Sequence, residues 1–554
     1  MPNSIDVIIW PEKQQISVPT GVRVIHCLKQ INKKVDPNIA AVRVNNEYFS
    51  LMDPIAISSE LKPVYFNEEA GSRIYRDSLV FVFEFAVRSL YPDQKAVIGH
   101  SLDQSSFYRF QDSGLAVSSR IAQEVEEAMW EISARDLPIE PGLMSWKEAL
   151  AYFAGRSTGQ LVQEKNDSHV PIWRCGDFIA LRHSPLVMST GVLKIFAVEF
   201  YQEVLLLRFP SVEKPDILPV RHEQPKLYAV YKEHKRWGEI LRVPNVASLN
   251  ALSRNSEDAR DFILSAEALH DRKIAEIGGM IADRSKNIKA IMIAGPSSSG
   301  KTTFTKKLSL SLKSSGLSPV LISLDDYYLE RPNIPKDEQG KPNFEILEAL
   351  DIPLFNQNLS DLLAGKEVET PIFDFKKAGG RLPRGRMLRL EENNILLYEG
   401  IHALNPSLIR ILDEDSVFRI YISALTALNI DDHVRIATTD NRLIRRIVRD
   451  HQFRRYTALQ TLKIWPSVRR GEEENIFPWD SSADIMFNSA LDYEIAVLKV
   501  FAEPLLGTVT PDEFEYGEAR RLINLLRNFF PFPIEEVPSF SILREFIGHS
   551  GFHY

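Results

Sequence analysis

The residues best suited to chemistry form a short glycine- and serine-rich segment in the middle of the chain. Residues 295–303 read Gly-Pro-Ser-Ser-Ser-Gly-Lys-Thr-Thr, which matches the pattern G-x-x-x-x-G-K-[ST] in full. The apolar run Ala290–Ala294 before it predicts a strand, and Thr303–Leu312 after it predicts a helix. Successive backbone N–H groups and the start of the helix would face an anion. The pattern therefore predicts a phosphate-binding loop, the alternative being a turn that binds nothing.

Each residue type in this loop has a predicted role. Lys301 would reach the β- and γ-phosphates of ATP, and the Thr302 hydroxyl would bind Mg²⁺. The predicted nucleotide contacts are Gly295, Ser297, Ser298, Ser299, Gly300, Lys301, Thr302 and Thr303. The cofactors expected from the loop are thus ATP and Mg²⁺.

Two acidic positions follow predicted strands. Glu399 ends the apolar run Ile395–Tyr398, where a carboxylate would hold Mg²⁺ directly or through water; the alternative is a solvated strand end. Asp325 follows the run Leu321–Leu324, at the sheet edge where ligands of parallel sheets bind. It could accept the proton of an attacking hydroxyl, although Asp325 or Asp326 could instead cap the next turn.

An arginine-rich segment lies further along the chain. Its members are Arg442, Arg445, Arg446, Arg449, Arg454, Arg455, Arg469 and Arg470. Spacings of three and four place Arg442, either Arg445 or Arg446, and Arg449 along one helix face. Cations that close over a transferring phosphoryl group neutralise its charge and exclude water, so a lid is predicted. A solvated basic helix or an RNA-binding face are the alternatives.

These side chains need a framework, and the second half of the chain predicts one. Short apolar runs alternate with helical segments from residue 289 onward. The predicted strands are Ala290–Ala294, Val320–Leu324, Ile395–Tyr398, Phe418–Ile422 and Ile485–Phe487. Apolar strands between helices predict an α/β fold with a mostly parallel sheet covered on both faces.

The first half predicts different architecture. A strand, a turn, a second strand, a helical segment at Gly21–Ile31 and a strand at Ala40–Val44 suggest a β-grasp module. Helices at Asp77–Leu90 and Ser118–Ile132, and a hairpin formed by Val192–Phe200 and Glu203–Phe209, suggest an α+β domain. Residues 256–284 predict one long helix that bridges the halves.

Composition limits the class of protein. With 554 residues the chain predicts several domains, and 44% apolar with 25% charged residues excludes disorder for its bulk. A net charge of −8 argues against a basic coat for nucleic acid. Cys27 and Cys175 are far apart and form no zinc motif. No apolar run approaches the ~20 residues of a membrane span, so a cytoplasmic protein is expected, with no signal for an oligomeric state.

The motifs of residues 287–500 together resemble the uridine kinase and phosphoribulokinase family of P-loop kinases. They are GPSSSGKTT, LDDYY at 324–328, NFEILEALD at 343–351, TPIFDF at 370–375, LLYEGIHAL at 396–404 and DNRLIRRIVRD at 440–450. The resemblance implies that Asp325 is the catalytic base, that Arg445 and Arg449 are lid arginines and that Glu399 lies near the metal. It also implies substrate contacts at Tyr328, Glu345, Phe373 and Arg442.

Three positions depart from the uridine kinases. The tyrosine and the histidine that help to read the pyrimidine base correspond to Phe373 and about Ala378, and the substrate-side acid of Asn-Phe-Asp is Glu345. The shared motifs nevertheless imply phosphoryl transfer to a hydroxyl of a nucleoside as the expected function. A sugar-phosphate acceptor, as in phosphoribulokinase, is the alternative; Lys376 and Lys377 could pair with its phosphate.

The first half resembles parts of threonyl-tRNA synthetases: the TGS domain over residues 1–62 and the second additional, editing domain over 63–225. The stretches that carry it are 73–108 and 176–196. The editing His and Cys positions correspond to Asp77, Phe81, Arg182 and Leu186, so editing is not expected; nearby His100 and His183 are expected to be ordinary histidines. This half could bind RNA, which leaves an ATP-gated, translation-associated binding protein as another alternative.

The predicted organisation is thus multi-domain. A β-grasp module occupies residues 1–62, an α+β domain 63–225, a helical connector 226–286 and an α/β P-loop kinase 287–554.

Overall fold

A mixed five-stranded sheet with one helix against it forms the beginning of the chain. The computed structural model describes residues 4–111, 115–337, 340–375 and 380–553. The first elements are β1 (Ser4–Ile9), β2 (Gln14–Pro19), β3 (Val22–Arg23), α1 (Val24–Ile31), β4 (Ile39–Val44), β5 (Glu47–Phe49), β6 (Pro54–Ile55) and β7 (Ser59–Tyr65). The strand order is β2-β1-β7-β4-β5, with β1 and β7 parallel, as a β-grasp module requires. The predicted limit between residues 62 and 63 falls inside β7, so the whole strand belongs to this sheet.

Two antiparallel sheets and two long helices follow. The elements are α2 (Glu69–Leu90), β8 (Lys95–Ser101), β9 (Ser105–Gln111), α3 (Ser119–Ala134), β10 (Glu140–Ser145), α4 (Trp146–Tyr152), α5 (Ser157–Lys165), β11 (His169–Cys175), β12 (Phe178–Leu181), β13 (Ala197–Tyr201) and β14 (Val204–Arg208). The sheets are ordered β13-β14-β9-β8 and β10-β11-β12. Helices α2 and α3 share a core with the larger sheet. The predicted hairpin is confirmed as β13–β14.

Three helices lead to the second half. They are α6 (Pro225–Ile240), α7 (Val246–Leu252) and α8 (Ser256–Asp283), the last confirming the predicted long helix. Ile263, Ile274 and Ile277 of α8 lie in the same apolar core as the strand at 290–294. Helix α8 is therefore packed into the second half. Helix α6 bridges the halves, since its Tyr228 and Tyr231 share an apolar core with Phe107 of the first half and its Lys226 donates to the Ser481 carbonyl of the second.

A five-stranded parallel sheet organises the second half. Its elements are β15 (Ala290–Ala294), α9 (Lys301–Ser314), β16 (Ser318–Ser323), α10 (Ile352–Leu363), β17 (Val368–Thr370), β18 (Arg386–Leu388), β19 (Asn394–Glu399), β20 (Val417–Ser423), α11 (Thr438–Arg449), α12 (Ala458–Asn475), β21 (Ile485–Asn488), α13 (Glu494–Leu506), α14 (Tyr516–Leu526) and α15 (Arg544–Ile547). The strand order is β16-β19-β15-β20-β21, and every neighbouring pair is parallel. All five predicted strands are present.

The sheet is covered on both faces, which explains why its strands lack polar alternation. Ile291 and Ile293 of β15 point into a core shared with α8, α9, α11 and α13. Ala290 and Met292 point into a second core shared with α10. Parallel strands buried on both faces read as continuous apolar runs, as predicted.

One segment after β20, residues 424–440, joins the two halves; we call it the docking segment. The Ile98 N–H donates to the Asp432 carbonyl at 2.8 Å, and the Asn429 amide donates to the Ile98 carbonyl at 2.6 Å. His100 lies 2.9 Å from the Thr438 hydroxyl, and His183 lies 3.0 Å from an Asp431 carboxylate oxygen. Both histidines thus contact the second half. None of the described helices combines the length and apolar character needed to cross a membrane.

Candidate active site

The predicted phosphate-binding loop connects β15 to α9, as the sequence indicates. Gly300 has a φ of +81°, and a Cβ there would lie 2.6 Å from Ile542 Cγ2. A Cβ on Gly295 would lie 2.2 Å from the Ile422 carbonyl oxygen. Both positions therefore need glycine, one for its backbone conformation and both for lack of space. The loop can thus curl tightly between β15 and α9.

Lys301 lies within this curl. Its ammonium donates to the Gly295 carbonyl at 2.8 Å and to the Pro296 carbonyl at 3.2 Å. Burial lowers the pKa of Lys301, while the carboxylates of Glu399 and Asp325 oppose that shift. The amine is thus held over the loop, next to two acids, where it can meet a phosphate.

Thr302 and Glu399 meet at the carboxyl edge of the sheet. Glu399 ends β19 and pairs in register with Ile293 of β15 and Ser323 of β16. The Thr302 hydroxyl donates to the two Glu399 carboxylate oxygens at 3.1 and 3.3 Å. Burial, together with the charges of Asp325 and Glu545, raises the pKa of Glu399 to about 7 against the opposing charge of Lys301. Adjacent hydroxyl and carboxylate oxygens among other carboxylates form a donor set that fits Mg²⁺.

Asp325 follows β16 on a short 3₁₀ turn, beside that pair. Its N–H donates to the Ser323 hydroxyl at 3.3 Å, and its carboxylate makes no hydrogen bond with any described residue. Burial raises the pKa of Asp325, and the charges of Lys301, Arg454 and Arg449 oppose this rise. The neighbouring Asp326, by contrast, accepts the Phe373 N–H at 3.1 Å and so supports the backbone.

An aromatic cluster forms the wall beyond Asp325. The Tyr328 hydroxyl donates to the Phe344 carbonyl at 2.9 Å, and its ring meets the Phe373 ring edge to face at 5.6 Å between centres. Phe375 also packs on Phe373, at 4.9 Å. Glu345 lies near this wall, and burial together with the Glu472 charge raises its pKa to about 7. Lys376, Lys377 and Ala378 lie outside the described residues.

Helix α11 holds the loop through buried arginines. Arg442 Nε donates to the Ser297 carbonyl at 2.9 Å, and Arg446 donates to the Ser297 hydroxyl at 2.7 Å. Arg445 donates to the Ser298 carbonyl at 3.3 Å and to the Ser489 carbonyl at 2.9 Å. Glu472 pairs with Arg442, and Glu494 pairs with Arg445. These contacts fasten the loop to the fold.

The structure separates the arginines that the sequence groups together. The side chain of Arg445 is 0% exposed, whereas that of Arg449 is 14% exposed and bonded to Asp450 at 2.8 Å. A π-helical turn, Asp450–Arg454, follows α11, and the charges of Arg449 and Arg454 both act on Asp325. The lid roles of Arg445 and Arg449 and the substrate contact of Arg442 stay predictions. Of the three, Arg449 is the one whose charge reaches the proposed base.

Two carboxylates that no sequence motif predicts contact the loop. Glu472 accepts the Ser297 N–H at 3.0 Å, and Glu545 accepts the Thr303 N–H at 3.2 Å and its hydroxyl at 2.7 Å. Each carboxylate occupies a donor that a phosphate oxygen could use. Glu472 lies in a run of three glutamates, and Glu545 lies in α15 near the end of the chain, so neither has a local signal.

The two halves of the chain match different groups of known proteins. The family model described as "Phosphoribulokinase / Uridine kinase family" matches residues 290–496. A uridine kinase of Macrococcus caseolyticus is 31% identical over 208 residues, which cover 37% of this chain and 91% of that enzyme. A solved structure described as a possible uridine kinase from Bacillus stearothermophilus aligns with 39% of this chain and 98% of its own, at 18% identity and a TM-score of 0.27.

The N-terminal region matches a different group of enzymes. A threonine–tRNA ligase of Syntrophomonas wolfei is 29% identical over 245 residues, which cover 41% of this chain. The chain spans 38% of the length of that ligase.

Proposed function

Because the chain belongs to the phosphoribulokinase / uridine kinase family, we propose that it transfers a phosphoryl group from ATP to a hydroxyl group of a nucleoside. One observation carries the proposal. The carboxylate of Asp325 is half-buried, without a hydrogen-bond partner among the described residues, next to Lys301 and the Thr302–Glu399 pair. A base, a phosphate-binding amine and a metal-binding pair thus share one edge of the sheet.

Asp325 would act as the general base. It accepts the proton of the acceptor hydroxyl as that oxygen bonds to the γ-phosphorus of ATP and the bond from this phosphorus to the ADP oxygen breaks. Lys301 and the backbone N–H groups of the loop bind the phosphate oxygens. Thr302 and Glu399 would hold Mg²⁺, which when bound neutralises charge on the phosphates.

Loading the loop requires rearrangement of three side chains. Lys301 must exchange the Gly295 and Pro296 carbonyls for phosphate oxygens. Glu472 and Glu545 must yield the N–H groups of Ser297 and Thr303 wherever phosphate oxygens take those positions. Until then the carboxylates satisfy donors that would otherwise be buried unpaired.

The acceptor would bind against the aromatic wall of Tyr328 and Phe373. Flat faces and edges of these rings suit a nucleobase, which can stack without hydrogen bonds to its edge. Because Phe373 cannot donate or accept a hydrogen bond, we expect weaker discrimination between bases than a tyrosine would give. Glu345 is a candidate partner for ribose hydroxyl groups.

The test is ADP release by the full chain with Mg·ATP and a panel of nucleosides, free sugars and sugar phosphates. We expect at least one nucleoside to stimulate ADP release, and Lys301→Ala to abolish the stimulation. Stimulation by a sugar phosphate alone would replace the nucleoside with the phosphoribulokinase-type acceptor. No stimulation by any member of the panel would contradict the proposal.

A further inference from the structure

A large cavity lies between the second half and the two N-terminal regions, apart from the phosphate-binding loop. Its volume is about 1420 Å³. Asp77, Phe81, Arg182 and Leu186, the positions that correspond to the editing site, all line it. Residues of the docking segment and of α14 also line it, and no residue of 295–303 does.

Most arginines of this cavity are compensated by carboxylates. Arg182 pairs with Asp53 at 2.8 Å, and Arg73 pairs with Glu518 at 3.0 Å. Arg521 of α14 donates to Asp440 of α11 at 2.6 Å. The charges of these three guanidinium groups are therefore compensated by carboxylates within the protein.

Arg76 and Arg435 differ from these three because neither pairs with a carboxylate among the described residues. Arg76 has neither a hydrogen bond nor an ion pair with any described residue, and its guanidinium carbon lies 5.5 Å from the Phe209 ring centre. Arg435 donates through Nη2 to the Ser101 hydroxyl, and its buried Nη1 has no partner in the described parts of the chain. Both side chains line the cavity.

The pKa shifts of Arg76 and Arg435 are consistent with their lack of carboxylate partners in the described ranges. Burial lowers the pKa of both groups; at Arg435, burial and the Arg76 charge together lower the pKa to about 10. Asp77 and Asp440 oppose the shift at Arg76, but neither forms an ion pair with it. Two half-buried cations near one another, neither paired with a carboxylate of the described residues, favour binding of an anion to both.

We infer that this cavity is a regulatory binding site for a phosphorylated small molecule, whose phosphate is bound by Arg76 and Arg435. Planar guanidinium groups match the oxygens of a phosphate and can donate two hydrogen bonds each. Phe81, Phe153 and Trp173 supply apolar walls for the rest of the molecule. Small-molecule sites occupy roughly 300–1,000 Å³, so the cavity is large enough for a ligand the size of a nucleotide.

Regulation would act through α11. Arg435 lies just before this helix in the docking segment, and Asp440 in its first turn pairs with Arg521 in the cavity wall. The same helix holds the phosphate-binding loop through Arg442, Arg445 and Arg446. A phosphate bound at Arg435 thus bears on the helix that positions the loop. This step rests on the proposed function, whereas binding in the cavity does not.

Binding is tested by isothermal titration of the full chain with a nucleoside 5′-monophosphate, ribose 5-phosphate and inorganic phosphate. We expect at least one probe to bind the wild type and Lys301→Ala equally. The double variant Arg76→Gln/Arg435→Gln should bind it at least about tenfold more weakly. The control is Arg527→Gln, since Arg527 also lines the cavity but its guanidinium faces Glu503 at 4.0 Å; it should bind as the wild type does.

The outcomes separate clearly. Equal affinity of the wild type and the double variant, or no binding of any probe, overturns the site. Binding that leaves the KM for ATP unchanged overturns the regulatory part alone. Absence of kinase activity contradicts the proposed function while the titration still decides the site. If the double variant misfolds, Arg76→Lys and Arg435→Lys replace it. Each keeps the positive charge but lacks the planar guanidinium that donates two hydrogen bonds to a phosphate, so each should still weaken binding.

Discussion

Two groups of arginines in this chain have opposite surroundings. On α11, Arg442 pairs with Glu472, Arg445 with Glu494 and Arg449 with Asp450. In the inter-half cavity, Arg76 and Arg435 have no carboxylate within ion-pair distance among the described residues. Arg442 and Arg445 of the first group hold the phosphate-binding loop, and the second group leaves its charge available in a cavity.

The difference shows that an arginine cluster in a sequence does not identify the arginines that bind a ligand. The α11 cluster predicts mobile cations, yet its most buried members are fixed by carboxylates that lie far away in sequence. A buried cation is stable when it is paired and costly when it is not. Pairing, which only the fold shows, therefore separates structural arginines from candidate binding residues.

Removal of Lys301 should have the largest effect, and it tests whether the loop that the α11 arginines hold binds the transferred phosphate. Lys301→Ala should lower kcat/KM by about 10³-fold or more, since it removes the cation that meets the transferred phosphate. Steady-state ADP release measures the loss. Lys313→Ala, at the exposed end of the same helix, should behave as the wild type does. Similar losses in both variants would point to damage of α9 instead.

Removal of the proposed base should act on chemistry alone. Asp325→Asn should lower kcat by about 10²–10⁴-fold and leave the KM for ATP nearly unchanged, because a carboxamide cannot accept the proton. The matched variant Asp326→Asn weakens the contact with the Phe373 N–H and should mainly raise the KM for the acceptor. A larger fall of kcat in Asp326→Asn would reverse the two assignments.

Unpairing an α11 arginine should cost stability. Glu494→Gln leaves the Arg445 charge buried without its carboxylate, so the free energy of unfolding should fall by about 3–5 kcal/mol. Chemical denaturation measures it. Glu503→Gln, at a partly exposed pair with Lys499, should change it by less than about 1 kcal/mol. Equal effects of the two substitutions would mean that the buried pair does not hold the fold.

The pKa of about 7 at Glu399 predicts a pH dependence of metal binding. Protonation competes with Mg²⁺ for the carboxylate, so the apparent Mg²⁺ affinity should weaken as the pH falls below about 7, approaching tenfold per pH unit. Kinetic Mg²⁺ titrations across this range measure the change. Glu399→Gln should bind Mg²⁺ poorly at every pH with a flatter profile. An unchanged profile in that variant would remove Glu399 from the metal site.

The smallest effect should come from the cavity. Arg76→Met removes a cation that has no carboxylate partner among the described residues, so without ligand the free energy of unfolding should change by less than about 0.5 kcal/mol or rise. Thermal and chemical denaturation measure it beside Glu494→Gln. A loss as large as that of Glu494→Gln would show that Arg76 is structural and would abolish the contrast between the two groups.

Local sequence patterns suffice for the framework of the site. The loop, the five strands and the positions of Asp325 and Glu399 at strand ends follow from motifs and apolar runs. The sequence predicts that helix α2 begins at Asp77, whereas in the structure it begins at Glu69. The prediction misses the first turn because this turn contains Gly71 and Ser72, which are weak helix formers. Gly71 is required there by packing, since a Cβ would lie 1.9 Å from the Tyr65 carbonyl oxygen.

Tertiary pairing is what the sequence leaves out. Glu472 and Glu545 reach the loop from elements more than a hundred residues away. The π-helical turn after α11, which brings the Arg454 charge to bear on Asp325, has no motif of its own. Nor does any pattern show that Arg76 of α2 and Arg435 of the docking segment line one cavity.

Phosphoryl transfer by the edge that joins Lys301, Glu399 and Asp325 is tested most directly by one measurement. Radiolabelled γ-phosphate is followed from Mg·ATP to a nucleoside in the wild type and in Asp325→Asn, with ATP binding measured in parallel. We predict labelled nucleotide from the wild type, and unchanged ATP binding with almost no labelled product from Asp325→Asn. Wild-type rates of labelling in Asp325→Asn, or no labelled nucleoside product from the wild type, would contradict it.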